Sequence, residues 1–154
     1  MLSIVISDTS SLILFDKIGE LELLTKVYDL IITTPQIANE FGESLPDWIQ
    51  IVMVKDEKYL ESLETQVDRG EASAIALGKE IDNAILLLDD LKARKLASKL
   101  NLKYTGTLGV FHKAKQMGFI ERVKPLIDKL LKTDFRISEN IVLELLKMNN
   151  ELED

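Results

Sequence analysis

The chain has 154 residues, of which 46% are apolar and 29% charged, and its formal net charge is −7. This length and composition are typical of one globular domain with a buried core, and they exclude a disordered, collagen-like or repeat protein. Because the chain has no cysteine and one histidine, disulfides, thiolate metal sites and cysteine nucleophiles are excluded and histidine-based sites are disfavoured. A reducing compartment is expected.

The charge and the hydropathy pattern limit the partners. No apolar stretch reaches the roughly 18–20 uninterrupted residues of a membrane span, and the first residues lack the basic start and cleavage site of a signal peptide. A negative net charge cannot hold nucleic acid by bulk electrostatics alone, although bound cations can reverse the field at a site. We therefore expect a cytoplasmic protein without membrane contact.

Short runs rich in β-branched and aliphatic residues predict strands, and several are apolar on both faces, as in strands buried between helices. Amphipathic segments separate these runs. This alternation predicts an α/β fold with a mainly parallel sheet covered by helices on both faces. The predicted strands are Leu2–Ser7, Leu30–Thr33, Ile49–Val54, Ala84–Leu88 and Leu102–Thr105.

Local signals mark several helix starts. Thr34 followed by Pro35 is typical of an N-cap and a first turn, and Thr107 and Ser138 are further N-cap candidates. After Gly118 the pattern is wholly helical. The predicted helices include Leu91–Leu100, Leu126–Leu131 and Glu139–Asn149.

No linker rich in glycine, proline or serine divides the chain. We therefore expect a single domain over residues 1–148 that ends in a helical segment. The polar residues 149–154 are expected to fray.

Acidic residues follow two predicted strands, and ligands of open parallel α/β sheets bind beyond the carboxyl ends of strands. Asp8 follows the first strand directly. It could cap the next helix, or it could ligate a metal with support from the hydroxyls of Thr9 and Ser10. Asp89 and Asp90 end the most hydrophobic strand.

The adjacent pair Asp89-Asp90 is the strongest single indication of a metal site. Two carboxylates about 4 Å apart repel by about 1 kcal/mol in water and by several times more near a protein surface. Nothing in folding requires such a pair, and a divalent cation would remove the repulsion. One of the two could still be only the cap of the following helix.

Two glutamates on predicted helices complete the acidic set. Glu71 is the one acid in the small-residue helix Gly70–Gly78, in a first turn where the helix dipole favours an anion. Glu40 shares a helix side with Ile37 and could point inward, although taken alone it is typical of a solvated surface. Oxygen ligands without cysteine or histidine suit Mg²⁺ or Mn²⁺, which favours phosphodiester hydrolysis.

Through these motifs, the sequence resembles the PIN-domain nucleases, and within them a prokaryotic branch near the VapC-type toxins. The motifs follow the family's order over residues 1 to about 120. They are Asp8-Thr9-Ser10, Glu40, Gly70-Glu71-Ala72-x-Ala74-Ile75-x-Leu77, Leu88-Asp89-Asp90-x-x-Ala93-Arg94 and Thr105-Gly106-Thr107-Leu108-Gly109.

The resemblance implies a three-layer α/β/α domain with a five-stranded sheet in the order 3-2-1-4-5. It implies cleavage of single-stranded or structured RNA to a 5′-phosphate and a 3′-hydroxyl. It also implies catalytic Mg²⁺ or Mn²⁺ ions held by Asp8, Glu40, Glu71 and Asp89, with Asp90 as an additional ligand. Toxin members usually pair with a small antitoxin and commonly form homodimers.

Two further residues are candidates for contact with the substrate or for support of the metal ligands. Arg94 lies four residues after Asp90, a spacing that favours either a surface salt bridge or a phosphate contact. Thr107 could support the site or simply cap its helix. The basic residues of this region, among them Lys92, Lys95 and Lys99, could follow an RNA backbone or form a solvated face.

These observations predict a metal-dependent endoribonuclease. One alternative is a catalytically silent PIN-like module that binds nucleic acid or protein. A less favoured alternative is a phosphatase or phosphotransferase with Asp8 as nucleophile, because such enzymes need a second aspartate where this chain has Ser10.

Overall fold

A parallel five-stranded sheet crosses the centre of the computed structural model, which describes residues 2–152. Its strands are β1 (Ile4–Ser7), β2 (Leu30–Thr33), β3 (Ile49–Ile51), β4 (Ala84–Leu87) and β5 (Tyr104–Thr105). They lie in the order β3-β2-β1-β4-β5, and all neighbours are parallel. The predicted strand order is therefore confirmed.

Helices cover both faces of the sheet, which confirms the predicted three-layer α/β/α architecture. The helices within the described residues are α1 (Thr9–Lys17), α2 (Leu23–Val27), α3 (Pro35–Phe41), α4 (Glu57–Glu64), α5 (Arg69–Glu80), α6 (Leu91–Lys99), α7 (Thr107–Gln116), α8 (Lys124–Leu131) and α9 (Glu139–Met148). In the part of the chain that the structure describes, no helix has the length and apolar character needed to cross a membrane.

The central strand explains why the sequence folds this way. Val5 and Ile6 point to opposite faces of β1 and are both fully buried, so each face of the sheet needs a helical cover. Ser7 at the end of β1 pairs with Leu87 at the end of β4. Because the strands are parallel and in register, the residues that follow them emerge at the same edge.

Strand β2 has the predicted bounds, and the other four strands are shorter than the sequence predicted. β3 ends at Ile51 instead of Val54, since its one neighbour, β2, offers partners only as far as Thr33. Val52 makes a last backbone hydrogen bond to that threonine, and the chain then turns away. β1 begins at Ile4, and Leu2 is 59% exposed.

Two of the three predicted N-caps are confirmed. The hydroxyl of Thr34 accepts a hydrogen bond from Ile37 N with Pro35 in the first turn, and Ser138 caps α9 in the same manner. Thr107 is not a cap: Gly106 occupies the N-cap position of α7, and Thr107 is the first helical residue.

The C-terminal segment does not fray where the structure describes it, so that prediction is wrong for Asn149 and Glu151. These residues are 4% and 7% exposed. The carboxylate of Glu151 accepts hydrogen bonds from the backbone N–H groups of Val123 (2.8 Å) and Lys124 (3.0 Å) and from the ammonium of Lys115 (2.8 Å). An anion at this position satisfies unpaired N–H groups at the start of α8. Residues 153–154 lie outside the described residues.

Glu151→Ala should therefore destabilise the fold. The variant leaves the buried N–H of Val123 without its partner, which costs about 1–3 kcal/mol. Urea unfolding of the variant and the wild type measures the difference in the free energy of unfolding. The exposed Glu144 on α9 supplies the control, since Glu144→Ala should change stability by less than about 0.5 kcal/mol. Equal stability of the two variants would mean that the C-terminal segment does not contribute to the fold.

Candidate active site

Asp8 is the most buried acid of the predicted set. It has no exposed surface, and its backbone N–H bonds to Leu87 O at 3.2 Å, which holds it between the ends of β1 and β4. Its Oδ1 accepts a hydrogen bond from Ser11 N at 2.9 Å, so Asp8 is the N-cap of α1. Its Oδ2 is buried and has no hydrogen-bond partner within the described residues. The cap therefore uses one oxygen and leaves the other free for a ligand.

Three more carboxylates lie close enough to Asp8 to influence one another. Burial raises the pKa of Asp8 to about 7; the hydrogen bonds from Ser11 oppose this rise, and the charges of Asp89 and Asp90 add to it. Burial also raises the pKa of Glu71 to about 7, and the next contributions come from Asp90 and Asp8. We call Asp8, Glu71, Asp89 and Asp90 the carboxylate cluster.

Asp89 is held by hydrogen bonds from three protein donors. Its Oδ2 accepts from the hydroxyls of Ser11 (2.9 Å) and Thr107 (2.6 Å), and its Oδ1 accepts from Thr107 N (2.9 Å). The first turns of α1 and α7 thus meet at this carboxylate. The sequence analysis assigned no role to Ser11, although its position three residues after Asp8 places it where it can reach the next strand end.

Asp90 caps α6. Its Oδ2 accepts a hydrogen bond from Ala93 N at 2.9 Å, which is the simpler of the alternatives that the sequence left open. After burial, the negative charge of Asp90 is the largest contribution that raises the pKa of Glu71. A cation bound between these carboxylates would offset their mutual repulsion.

Glu40 lies beside the cluster and is not bonded to it. Its Oε2 accepts a hydrogen bond from Thr9 Oγ1 at 2.8 Å. Gly70 makes room for this carboxylate, because a Cβ there would lie 2.8 Å from Oε2. Glu40 is thus next to the residues that follow Asp8 and precede Glu71. Within the described residues no hydrogen bond joins it to those two acids, and its side chain is exposed.

Of the acids at this edge, Arg94 lies near Asp89, and among the described residues no salt bridge joins it to Asp90. Arg94 Nε donates to Leu88 O at 2.6 Å, and Nη2 lies 3.9 Å from Asp89 Oδ1. The strong bond to the carbonyl turns the guanidinium toward β5, where it stacks over Tyr104 with 5.3 Å to the ring centre. Arg94 therefore borders the cluster on the side of Asp89.

Gly106 allows this close approach. A Cβ at this position would overlap Arg94 Nη2 and would lie 2.7 Å from Asp89 Oδ1. The backbone of Gly106 is extended, with φ of −120°, so its requirement is for space and not for an unusual conformation. Gly106 of the Thr105–Gly109 motif therefore leaves the space in which Arg94 lies beside Asp89.

Ser10, predicted to support the metal, is exposed and lies on the rim of a small depression that also includes Asp89. On the opposite side of the cluster, Lys92 and Asp68 line a shallow depression with Glu71 and Asp90. Asp68 is an acid that the sequence analysis did not single out, and its charge also raises the pKa of Glu71.

The chemistry of the cluster fits a hard divalent cation. Its polar side-chain atoms are carboxylate oxygens, one of them buried without a hydrogen-bond partner among the described residues. Burial raises the pKa of Asp8 and of Glu71 to about 7, and a nearby positive charge would lower both values. In the described part of the chain, no three acidic or histidine side chains are already grouped as a metal centre. Binding would therefore require rotation of side chains such as that of Glu71.

The family model described as DUF3368, PIN domain, matches residues 4–151. No curated protein shows significant similarity to the chain.

The raised pKa values predict how the stability of the metal-free protein depends on pH. Because the folded-state pKa of Asp8 and of Glu71 is about 7, above the ordinary 3.8 and 4.5, folding favours the protonated forms. Their contribution is complete below about pH 4 and is lost as the pH rises through 7. In EDTA, the melting temperature should fall from pH 5 to pH 8 by several degrees.

Asp8→Asn should flatten this profile, since an amide oxygen can still accept from Ser11 N but does not ionise. The matched control is Asp16→Asn, which removes an exposed charge from the same helix and should leave the profile unchanged. Differential scanning fluorimetry across this pH range measures both. A wild-type profile that rises toward pH 8 would contradict the assigned burial of Asp8.

Proposed function

Because the chain belongs to the PIN-domain family, whose members are generally nucleases, we propose that it is a metal-dependent endoribonuclease. The observation that carries the proposal is the meeting of Asp8, Glu71, Asp89 and Asp90 at one edge of the sheet, with a buried carboxylate oxygen that has no partner among the described residues. Glu40 borders this site and would join it by rotation of its side chain.

The proposed metal ligands are Asp8, Glu71 and Asp90. Asp89 and Glu40 would complete the set. A bound Mg²⁺ or Mn²⁺ ion would supply a water of lowered pKa and would neutralise charge on the phosphate oxygens. Hydrolysis would then leave a 5′-phosphate and a 3′-hydroxyl, as the family resemblance implies.

The chain's own side chains have separable tasks in this proposal. Asp8 keeps its cap bond to Ser11 while presenting Oδ2 to the site. Ser11 and Thr107 hold Asp89 in one orientation. Arg94, fixed on the carbonyl of Leu88, would contact a substrate phosphate at the edge of the cluster.

The roles of toxin, of a small antitoxin partner and of a homodimer stay predictions of the sequence resemblance.

Substitution of the acids tests the proposed reaction. Asp8→Asn and Glu71→Gln should each reduce Mn²⁺-dependent cleavage of a labelled single-stranded RNA by about 10²-fold or more, a typical effect of removing one electrostatic group from an active site. Glu40→Gln should have the smaller effect, since Glu40 is bonded to Thr9 and not to the cluster. Gel analysis of end-labelled RNA measures the rates.

The control is Asp16→Asn on the exposed side of α1, which should cleave at the wild-type rate. Undiminished cleavage by both Asp8→Asn and Glu71→Gln would refute the proposed site. Absence of both cleavage and Mn²⁺-induced thermal stabilisation in the wild type would favour the catalytically silent binding module instead.

Thr107 gives a second, more selective test. Thr107→Val removes the hydroxyl that donates to Asp89 Oδ2 while it keeps the size and the backbone donor. Because groups that orient metal ligands are typically worth about 10–100-fold, kcat should fall by that factor with little change in KM. Thr107→Ser restores the hydroxyl and should recover most of the activity. A Val variant with wild-type kcat would show that Asp89 needs no such orientation.

A further inference from the structure

A cleft of about 480 Å³ opens beside the carboxylate cluster and shares Asp89 with it, and Arg94 also lines the cleft. It lies between β5, the start of α7 and the segment that joins α8 to α9. We call it the arginine cleft and define it by Asp89, Arg94, Tyr104, Phe135, Arg136 and Ile137. Its volume falls in the range of about 300–1,000 Å³ that is typical of small-molecule and cofactor pockets.

The charge of this cleft differs from that of the chain. The protein as a whole carries a net charge of −7, but the described lining of the cleft has two arginines and a single acid, Asp89. That acid is held by hydrogen bonds from Ser11 and Thr107. The guanidinium groups therefore give the cleft a local positive field, which favours an anionic occupant.

The walls of the cleft also carry aromatic and apolar surface. Tyr104 is 39% exposed, and Phe135 and Ile137 are half-buried, so parts of these side chains remain open to a ligand. Unpaired nucleobases bind such surfaces by stacking on aromatic rings and on guanidinium planes. An inorganic anion would use the arginines but not this apolar wall.

Arg94 is held in place before any ligand arrives. Its Nε is bonded to Leu88 O, its plane lies over Tyr104, and Gly106 leaves the space that Nη2 occupies. A fixed guanidinium loses little conformational freedom on binding, which makes it well suited to a directed contact with a phosphate.

We propose that the arginine cleft binds the nucleotide next to the scissile phosphate of a single-stranded RNA, with its base on Tyr104 and Phe135 and its phosphate between Arg94 and Arg136. The proposal rests on the proposed ribonuclease function. Asp89 and Arg94 border both the cluster and the cleft, so the cleft adjoins the cluster and one strand of RNA could contact both. The cleft then determines which base is accepted beside the cleavage position.

Binding of RNA in the absence of metal tests this placement separately from cleavage. The wild type and its variants are titrated in EDTA against a fluorescein-labelled single-stranded RNA of about ten nucleotides, and anisotropy is followed at several salt concentrations. Arg136→Gln should weaken binding about 3- to 10-fold and reduce the slope of log affinity against log salt by about 0.7, the effect of one phosphate contact on a single strand. Phe135→Leu should weaken binding roughly tenfold through lost stacking, with little change in slope.

Matched controls lie outside the cleft. Lys132→Gln removes an exposed cation four residues before Arg136, and Phe119→Leu alters a 44% exposed ring after α7. Both should bind RNA as the wild type does. Equal affinities and slopes for Arg136→Gln and Lys132→Gln would overturn the proposal, and cleavage by the wild type would still uphold the ribonuclease function.

The reverse result is equally informative. Weakened RNA binding by Arg136→Gln and Phe135→Leu, in a protein that cleaves no RNA with Mn²⁺, would support the cleft and refute the nuclease. If the two variants bind RNA normally but lose affinity for a protein partner, the cleft is a protein-binding site and the proposal is wrong.

Discussion

The parallel register of the central strands brings acidic side chains to one edge of the sheet, and the site depends on how the fold holds these like charges together. Ser7 pairs with Leu87, so Asp8 and Asp89 leave adjacent strand ends close to each other. Repulsion between carboxylates is several times stronger at a partly buried edge than in water. The fold can offset it only with hydrogen-bond donors, with protons or with cations.

The four carboxylates of the cluster fall into two pairs: one pair is stabilised by hydrogen-bond donors, and the other needs a proton or a cation. Asp89 is held by Ser11 and Thr107, and Asp90 caps α6. Asp8 and Glu71 are not satisfied in this way, and burial raises the pKa of each to about 7. A cation that binds these two stabilises the folded state as well as the ionised form of the acids. The two acids whose ionised forms the fold stabilises least are thus the ones that a bound cation would stabilise most.

The sequence was sufficient for the fold and for the elements that carry the acids, because strands buried on both faces and caps such as Thr34 are local signals. It could not establish side-chain directions. Arg94 turns to a backbone carbonyl instead of Asp90, a choice made by the packing around β5. Ser11 and Glu151 were missed because their partners Asp89 and Val123 are 78 and 28 residues away. Contacts of this range leave no periodic pattern in the sequence.

The positive charge of Arg94 lies near Asp89 at this edge of the sheet. A guanidinium beside Asp8 or Glu71 would neutralise these acids and compete with a divalent cation for them. Arg94 is instead kept by its carbonyl bond near Asp89, the acid that protein donors already satisfy. Gly106 is needed for this arrangement, since a larger residue would displace the guanidinium. The absence of one Cβ therefore lets a guanidinium lie beside Asp89, while the buried acids Asp8 and Glu71 keep their raised pKa values.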